Sequence, residues 1–433
     1  MLFDTILTSL EDIFLCYDNA LALRDNRDSF YINRDLRGRA ALVWDAASFK
    51  QRNENQQLII KSLCSDIANK LGNHGFHTGH MPILSEAPFT TEKEGAVVFT
   101  FGQKFPFTVV DRMLTESCWS KRGSEDYLSN KMIVFYSIKG GVGCSTALAA
   151  TAWHFAQLRK KVMVVDMNFE SPGISNSLLP KDYQPDYGIL DWLVEDVVRN
   201  GDEILDHLFA LSPLANGSQG NIVVIPAHGK KYNDYIVKME RAWMHRIDGE
   251  TRISWPQRLH NLLQKLDEQH HPDCILIDSQ SGINEAASVS VLDLAPKLVL
   301  FFVLDNIQTW IGSSILFDHW KNIGQAQNIR TSLQIVAAMV PPLENQYSSI
   351  LNLRENAWNF FAEKLYDNLT EKQYNLFNFD CDSTEAPHTP WIIYRHQDLL
   401  DMKYLYTLEN TLNAKQIYRT FPFLTGLGVY FFS

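Results

Sequence analysis

The sequence predicts an α/β protein. Its main domain is a doubly wound, mostly parallel β-sheet, flanked by an N-terminal α+β region and a C-terminal extension. Two observations lead there. From residue 131 onward, short wholly apolar runs alternate with helical patterns, and strands buried on both faces are what a sheet covered by crossover helices requires. Between the first such run and the helix after it lies a glycine-rich loop. That strand–loop–helix setting is the one in which glycines turn backbone N–H groups toward an anion.

The chain opens on a helical pattern. RAALVWD (39–45) reads as a strand. Residues 53–71 read as an amphipathic helix, with Leu58, Ile59, Leu63, Ile67 and Leu71 at helical spacing. Residues 72–93, rich in Gly, His, Pro and Thr, read as a loop. GAVVFTFG (95–102) and FTVVDRML (107–114) read as strands, and the polar stretch 120–131 as a linker. IVFYS (133–137), VMVVD (162–166), NIVVIPA (221–227), CILIDS (274–279), LVLFFVL (298–304) and LQIVAAMV (333–340) are the buried strands of the main sheet. Helices are expected after the glycine loop, at 186–198 and at 254–269, where Pro256 falls in a first turn that needs no N–H. In 304–320, Thr309, Trp310, Leu316, Phe317 and Trp320 have helical spacing suited to packing on the sheet. A helix at 353–369 and an extended PWIIYRH (390–396) follow. The expected organisation is 1–130, 131–345 and 346–433, the last packed on the second.

Composition narrows the function. The 433 residues are 45% hydrophobic and 21% charged, with a net charge of −11. An acidic balance argues against a broad nucleic-acid-coating surface and leaves room only for a local patch. Arg34, Arg37 and Arg39 form one such cluster, which reads equally as a salt-bridged turn. No apolar run of about 18 residues occurs, so no transmembrane helix is expected. Asp4, Glu11 and Asp12 do not suit a signal peptide. Cys16, Cys64, Cys118, Cys144, Cys274 and Cys381 are widely spaced, which fits reduced thiols and a cytoplasmic location. His74, His77 and His80 recur every three residues, but among glycines they suggest a loop in preference to a zinc site. Asp382, Glu385 and His388 likewise read as loop residues. The apolar tail 420–433 has no Lys or Arg, so burial against a partner or its own body is expected, and no membrane contact.

The chemistry-bearing motif is Lys139-Gly140-Gly141-Val142-Gly143-Cys144-Ser145-Thr146. It resembles the KGGxGK[ST] signature of the ParA/MinD family of deviant Walker A P-loop ATPases. Lys139, Gly140, Gly141, Gly143 and Ser145 match, and Cys144 replaces the second lysine. That lysine neutralises the β- and γ-phosphates in a P-loop; a thiol supplies no such charge. The resemblance implies that Lys139 reaches across a dimer interface to a partner's nucleotide. VVDMNFESPG (164–173) matches the family's next motif, with Asp166 at its first aspartate and Asn168 at its second. Asn168 follows Cys144 by 24 residues. In the family the second aspartate positions or activates water; an amide orients water but cannot accept its proton. Glu170 is a nearby carboxylate that could replace it. In CILIDSQSG, Asp278 takes the Walker B position and Gly282 ends a DxxxG switch whose N–H can meet a γ-phosphate. Ser145 and Asp278 are then the intact metal pair.

The resemblance covers about half the chain and implies ATP or ADP with Mg²⁺ as ligands. Asp166, Asn168 and Lys139 are the expected catalytic positions, and Lys139 to Thr146 with Gly282 the nucleotide contacts. The expected function is a nucleotide-bound switch with weak or absent hydrolysis, acting as a homodimer or as a subunit of a larger complex. Two alternatives stand beside it. One is an active ATPase of a multi-subunit bacterial system, such as an anti-phage defence system, completed by Glu170 or a partner. The other is a scaffold that binds no nucleotide.

Overall fold

A computed structural model describes residues 1–76, 81–86, 96–113, 119–341, 346–367, 376–400 and 402–432. The chain divides into two compact units, Met1–Cys118 and Trp119–Ser433.

In the first unit, strands β1 (Phe30–Arg34), β2 (Ala40–Asp45), β3 (Ile83–Ser85), β4 (Ala96–Phe101) and β5 (Phe107–Arg112) form a mixed sheet in the order β3-β2-β1-β5-β4. Helices Ile6–Leu21 and Glu54–Leu71 bury one stripe each, Ile6, Leu10 and Phe14 from the first and Ile60, Leu63 and Ile67 from the second, in one core with Ile32, Leu42 and Val109. The Asn53 side chain accepts from Gln56 N and starts the second helix there. The segment 72–93, expected as a loop, contributes β3, paired parallel with β2. Three residues held by backbone pairing leave no periodicity to read.

Two of the three clustered arginines are structural, and Arg37 is exposed. Arg34 is buried and paired to Asp111, with Nε–Oδ1 at 2.8 Å. The Arg39 guanidinium pairs with Asp35 (2.6 Å) and lies 4.2 Å over the Phe76 ring. His74 Nδ1 meets Gly38 O at 3.3 Å; His77 and His80 lie outside the described residues.

The second unit carries β6 (Met132–Ser137), β7 (Lys161–Met167), β8 (Ala210–Leu211), β9 (Asn221–Ile225), a hairpin of β10 (Arg246–Asp248) and β11 (Thr251–Ile253), then β12 (Cys274–Ser279), β13 (Leu298–Val303), β14 (Leu333–Val340) and β15 (Trp391–Tyr394). Its main sheet runs β15-β14-β13-β6-β12-β7-β9-β8. All pairs are parallel except β8 with β9. Every residue of β6, β12 and β13 is buried, because helices cover both faces. Ile189–Val197, Trp255–His270, Ile307–Asn322 and Gln346–Lys364 lie on one face. Cys144–Gln157 and the chain's last helices lie on the other. The fold is therefore a doubly wound α/β sheet of the P-loop type, with β6 at the point where the strand order reverses. Leu316, Phe317 and Trp320 are buried against the sheet, and Trp310 packs on Phe360.

Helix Cys144–Gln157 reads ALAATAWHFA through its middle, with no polar face, and Ala147–Ala156 is wholly buried. A helix apolar all round must be covered all round. The sheet covers one side and the C-terminal helix Phe423–Phe432 another. Phe432 meets Phe155 edge-on at 4.8 Å, and Tyr418 Oη lies 2.8 Å from His154 Nδ1. The apolar tail is thus spent on the protein's own body. Residues 120–131 are fastened to the second unit: Gly123 N–H donates to Leu292 O, and Arg122 donates to Pro296 O and Ser332 Oγ. Among the described residues no helix is long and apolar enough to cross a membrane, and Cys16, Cys64, Cys144, Cys274 and Cys381 are free thiols.

Arg258 is fully buried and donates from Nε to Asp196 Oδ2 at 2.7 Å. It ties helix Trp255–His270 to helix Ile189–Val197, and Arg246 holds the other oxygen of Asp196. Removing one partner of such a pair strands a buried charge. Asp196→Ala is expected to destabilise the second unit by about 3 to 5 kcal/mol. Urea unfolding followed by tryptophan fluorescence measures it; a loss under about 1 kcal/mol, the range of an exposed pair, would refute the account.

Candidate functional site

The loop 139–146 leaves the carboxyl end of β6 and runs into helix Cys144–Gln157. Its shape depends on glycine at two positions. Gly141 has φ +76° and Gly143 φ +91°, the left-handed region that disfavours side chains. Val142 is buried and anchors the loop to the core. No side chain caps the helix, whose Ncap is Gly143. The first-turn N–H groups of Cys144, Ser145 and Thr146 therefore have no intrahelical acceptor and carry the positive end of the helix dipole.

Ser145 Oγ donates to Asp278 Oδ2 at 2.9 Å. This is the edge length between neighbouring ligands of an octahedral ion with bonds of about 2.0–2.1 Å. Parallel pairing of β7 with β12 sets Asp166 opposite Asp278, and both are buried. Burial, and then the Asp166 charge beside it, push the Asp278 carboxyl up to about 8; the Ser145 hydrogen bond opposes them. Burial raises Asp166 as well, against the hydrogen bonds from Ser175 and Asn168. Ser175 donates to Asp166 from Oγ at 2.6 Å and from N at 3.2 Å. Two adjacent buried acids with an alcohol in reach are a hard-oxygen donor set that fits a divalent cation such as Mg²⁺.

The other expected positions separate. Lys139 is exposed, its Nζ 3.2 Å from Gln308 Oε1. Cys144 is half-buried, and burial pushes its thiol up; it is neutral, so a thiolate's repulsion of phosphate does not arise. The Asn168 side-chain oxygen accepts from Ser171 N at 3.3 Å, closing the loop it sits in. Glu170 is exposed on that loop. Gly282 has φ +87°, and its N–H donates to Ser137 O at 2.9 Å. Gly140 sits so close to Ser281 that a Cβ would stand 3.2 Å from its Oγ. His388, buried, bonds to Tyr366 and Cys381 O.

Three contributors escape a reading of the sequence. Ser175 holds Asp166. The field of His228 opposes the rise of the Asp166 carboxyl. Tyr235 Oη donates to Phe169 O at 2.7 Å, fixing the loop after β7. Ser175 lies just past the matched motif. His228 and Tyr235 lie on a different strand's exit, where only the folded sheet brings them near.

No family model matches the chain, and no curated protein matches it. Among solved structures it is similar to a ParA family ATPase from Chlorobium tepidum TLS, at 14% identity over 68% of this chain and 93% of that one, with a TM-score of 0.40. It is similar to a putative plasmid partition protein from Borrelia burgdorferi B31 bound to AMPPNP, at 14% identity over 69% and 98%, TM-score 0.42. It is also similar to the MinC:MinD cell division protein complex of Aquifex aeolicus, at 17% identity over 68% and 96%, TM-score 0.39. The fold itself is defined by the strand order and the loop placement described above.

With its folded pKa above the ordinary carboxylate value of 3.8, Asp278 takes up a proton on folding at intermediate pH. Its contribution to stability is fully present below the ordinary value and is lost as pH rises through about 8. The metal-free thermal midpoint is therefore expected to fall between pH 6 and 8 more steeply than that of Asp278→Asn, and Mg²⁺ to restore it at pH 8. Equal slopes for the two proteins in EDTA would contradict the assignment.

Proposed function

We propose that the second unit is a ParA/MinD-like nucleotide switch that holds ATP or ADP with Mg²⁺ at 139–146 and hydrolyses it weakly or not at all. The observation that carries this reading is the 2.9 Å approach of Ser145 to Asp278 at the mouth of an uncapped glycine-lined helix. Backbone amides and the helix dipole grip the phosphates. Ser145 and Asp278 hold the ion, with Asp166 behind them.

The chemistry is impaired at two points. Phosphoryl transfer depends on charge neutralisation and on a positioned water. Cys144 provides no cation, and Asn168 cannot take a proton. Glu170 is exposed, and among the described residues no contact aims it at the loop. A switch needs a readout, and the face beside Lys139 supplies one. Ile307, Ile311 and Ile315, four residues apart on one helix, are 74%, 57% and 60% exposed, and Gln308 between them touches Lys139. An apolar stripe of this kind marks an interaction surface, here one for a second copy or a docked partner.

Two outcomes are expected. Cys144→Lys with Asn168→Asp raises Mg-dependent ATP turnover at least about tenfold over wild type, since each restored group contributes on that order or more; phosphate release assays read it, and no gain would count against the motif alignment. Light scattering after size exclusion shows the mass doubling with Mg²⁺ and a non-hydrolysable ATP analogue, and Ile311→Lys abolishing that shift. A monomer in wild type under every nucleotide condition would leave the stripe to a different partner and remove dimerisation from the proposal.

A further inference from the structure

A second cleft opens at the carboxyl end of β9, on the side of the sheet where doubly wound proteins place their ligands. It is about 790 Å³ in volume and is lined by residues from three separated segments, 176–184, 228–232 and 404–406. It shares no residue with the loop 139–146. Its size falls within the range of small-molecule sites.

Rings form its walls. Tyr404 and Tyr406 lie 5.3 Å apart with their planes 23° off parallel, and His228 meets Tyr232 at 5.5 Å. Tyr232 and Tyr404 are 60% and 40% exposed. Large aromatic surface left open on a loop and aligned with a second ring is a stacking platform. The rim is basic although the chain is acidic overall. Lys181 and Lys230 line the cleft and are exposed, and neither forms an ion pair among the described residues. Among the described residues Asp182 is the sole carboxylate lining it. Asn176 and Gln184 add amides, and the Gln184 amide makes only long contacts of 3.3 to 3.4 Å to Leu179 O, Ser175 O and Asn176 Oδ1, which a better acceptor can displace.

From these features we propose that the cleft binds a nucleotide unit, with the base stacked on Tyr404 and Tyr406 and the phosphate held by Lys181 and Lys230. A flat aromatic group and a phosphate in one ligand match the two halves of the lining; an acidic peptide would use the lysines and leave the rings idle. The unit can come as a free mononucleotide or within a single strand. The proposal does not depend on the reading of 139–146 as a nucleotide site.

The test uses the full chain and AMP, which lacks the β- and γ-phosphates that a P-loop grips. Equilibrium dialysis is expected to show saturable one-to-one binding. Lys181→Glu with Lys230→Glu, and separately Tyr404→Ala with Tyr406→Ala, each weaken it by about tenfold or more. Circular dichroism melting establishes that both variants fold. A dodecameric thymidine single strand, titrated in parallel, distinguishes the sources: AMP binding alone assigns a free nucleotide, and tighter strand binding that both variants impair assigns a strand. Absence of saturable binding by either ligand, or binding that both folded variants retain in full, overturns the proposal. Mg²⁺-dependent binding of an ATP analogue that persists in variants no longer binding AMP reports on 139–146, so failure there and failure here are separate results.

Discussion

Two carboxylates stand side by side inside this protein, Asp166 at the end of β7 and Asp278 at the end of β12, opposite each other in a parallel register. Placing like charges together out of water is among the costliest arrangements a fold can hold. Among the described residues, Ser175 and Asn168 support Asp166, and Ser145 alone supports Asp278. That asymmetry leaves Asp278 the under-satisfied member, aimed toward the mouth of the glycine loop. A divalent cation held there would remove the repulsion and take up the free lone pairs.

The rest of the second unit keeps that arrangement in place. Parallel strands deliver their carboxyl ends to one side, so β6, β7 and β12 present their exits together. Helix Cys144–Gln157 must hold its N-terminus against those exits, and it has no polar face to orient it in solvent. It is held by burial instead, between the sheet and the terminal helix whose Phe431 and Phe432 close over Phe155. The C-terminal extension thus bears on the loop 139–146 through the helix it clamps.

What was legible in the sequence follows from the same physics. Strands buried on both faces are uninterrupted apolar runs, so β12 and β14 are read to the residue and β6, β7, β9 and β13 to within two residues at an end. The glycine loop, Ser145, Asp166 and Asp278 are named from the order of the motifs along the chain, and the fold brings Ser145 to 2.9 Å from Asp278 with Asp166 opposite it. β1, β3 and the β10–β11 hairpin are not readable, since backbone pairing or ion pairs such as Arg246 with Asp248 hold them, and neither leaves a periodic trace. Arg34, Arg37 and Arg39 read either as a basic patch or as a salt-bridged turn; for Arg34 the second holds, because Asp111, 77 residues away, neutralises it, a partner the local sequence does not show. The cleft of Tyr232, Tyr404 and Tyr406 is invisible in sequence for the same reason: its walls lie far apart along the chain.

The two departures in the motif have different consequences under the proposed reading. Asn168 removes a proton acceptor and so affects only the chemical step. Cys144 removes a charge and so affects binding as well. With Asp166 and Asp278 both ionised, a divalent ion brings the metal site to zero net charge. Attraction for a polyphosphate then rests on N–H dipoles, which are short-ranged. The nearest fixed cation on the loop is Lys139, which points outward and rests on Gln308. Under that reading, a lysine so placed would neutralise a nucleotide only across an interface, where a second copy presents it. A loop without an internal lysine would then shift the electrostatic requirement for tight triphosphate binding onto assembly, and the nucleotide and the neighbouring subunit would each bind strongly only when the other is present.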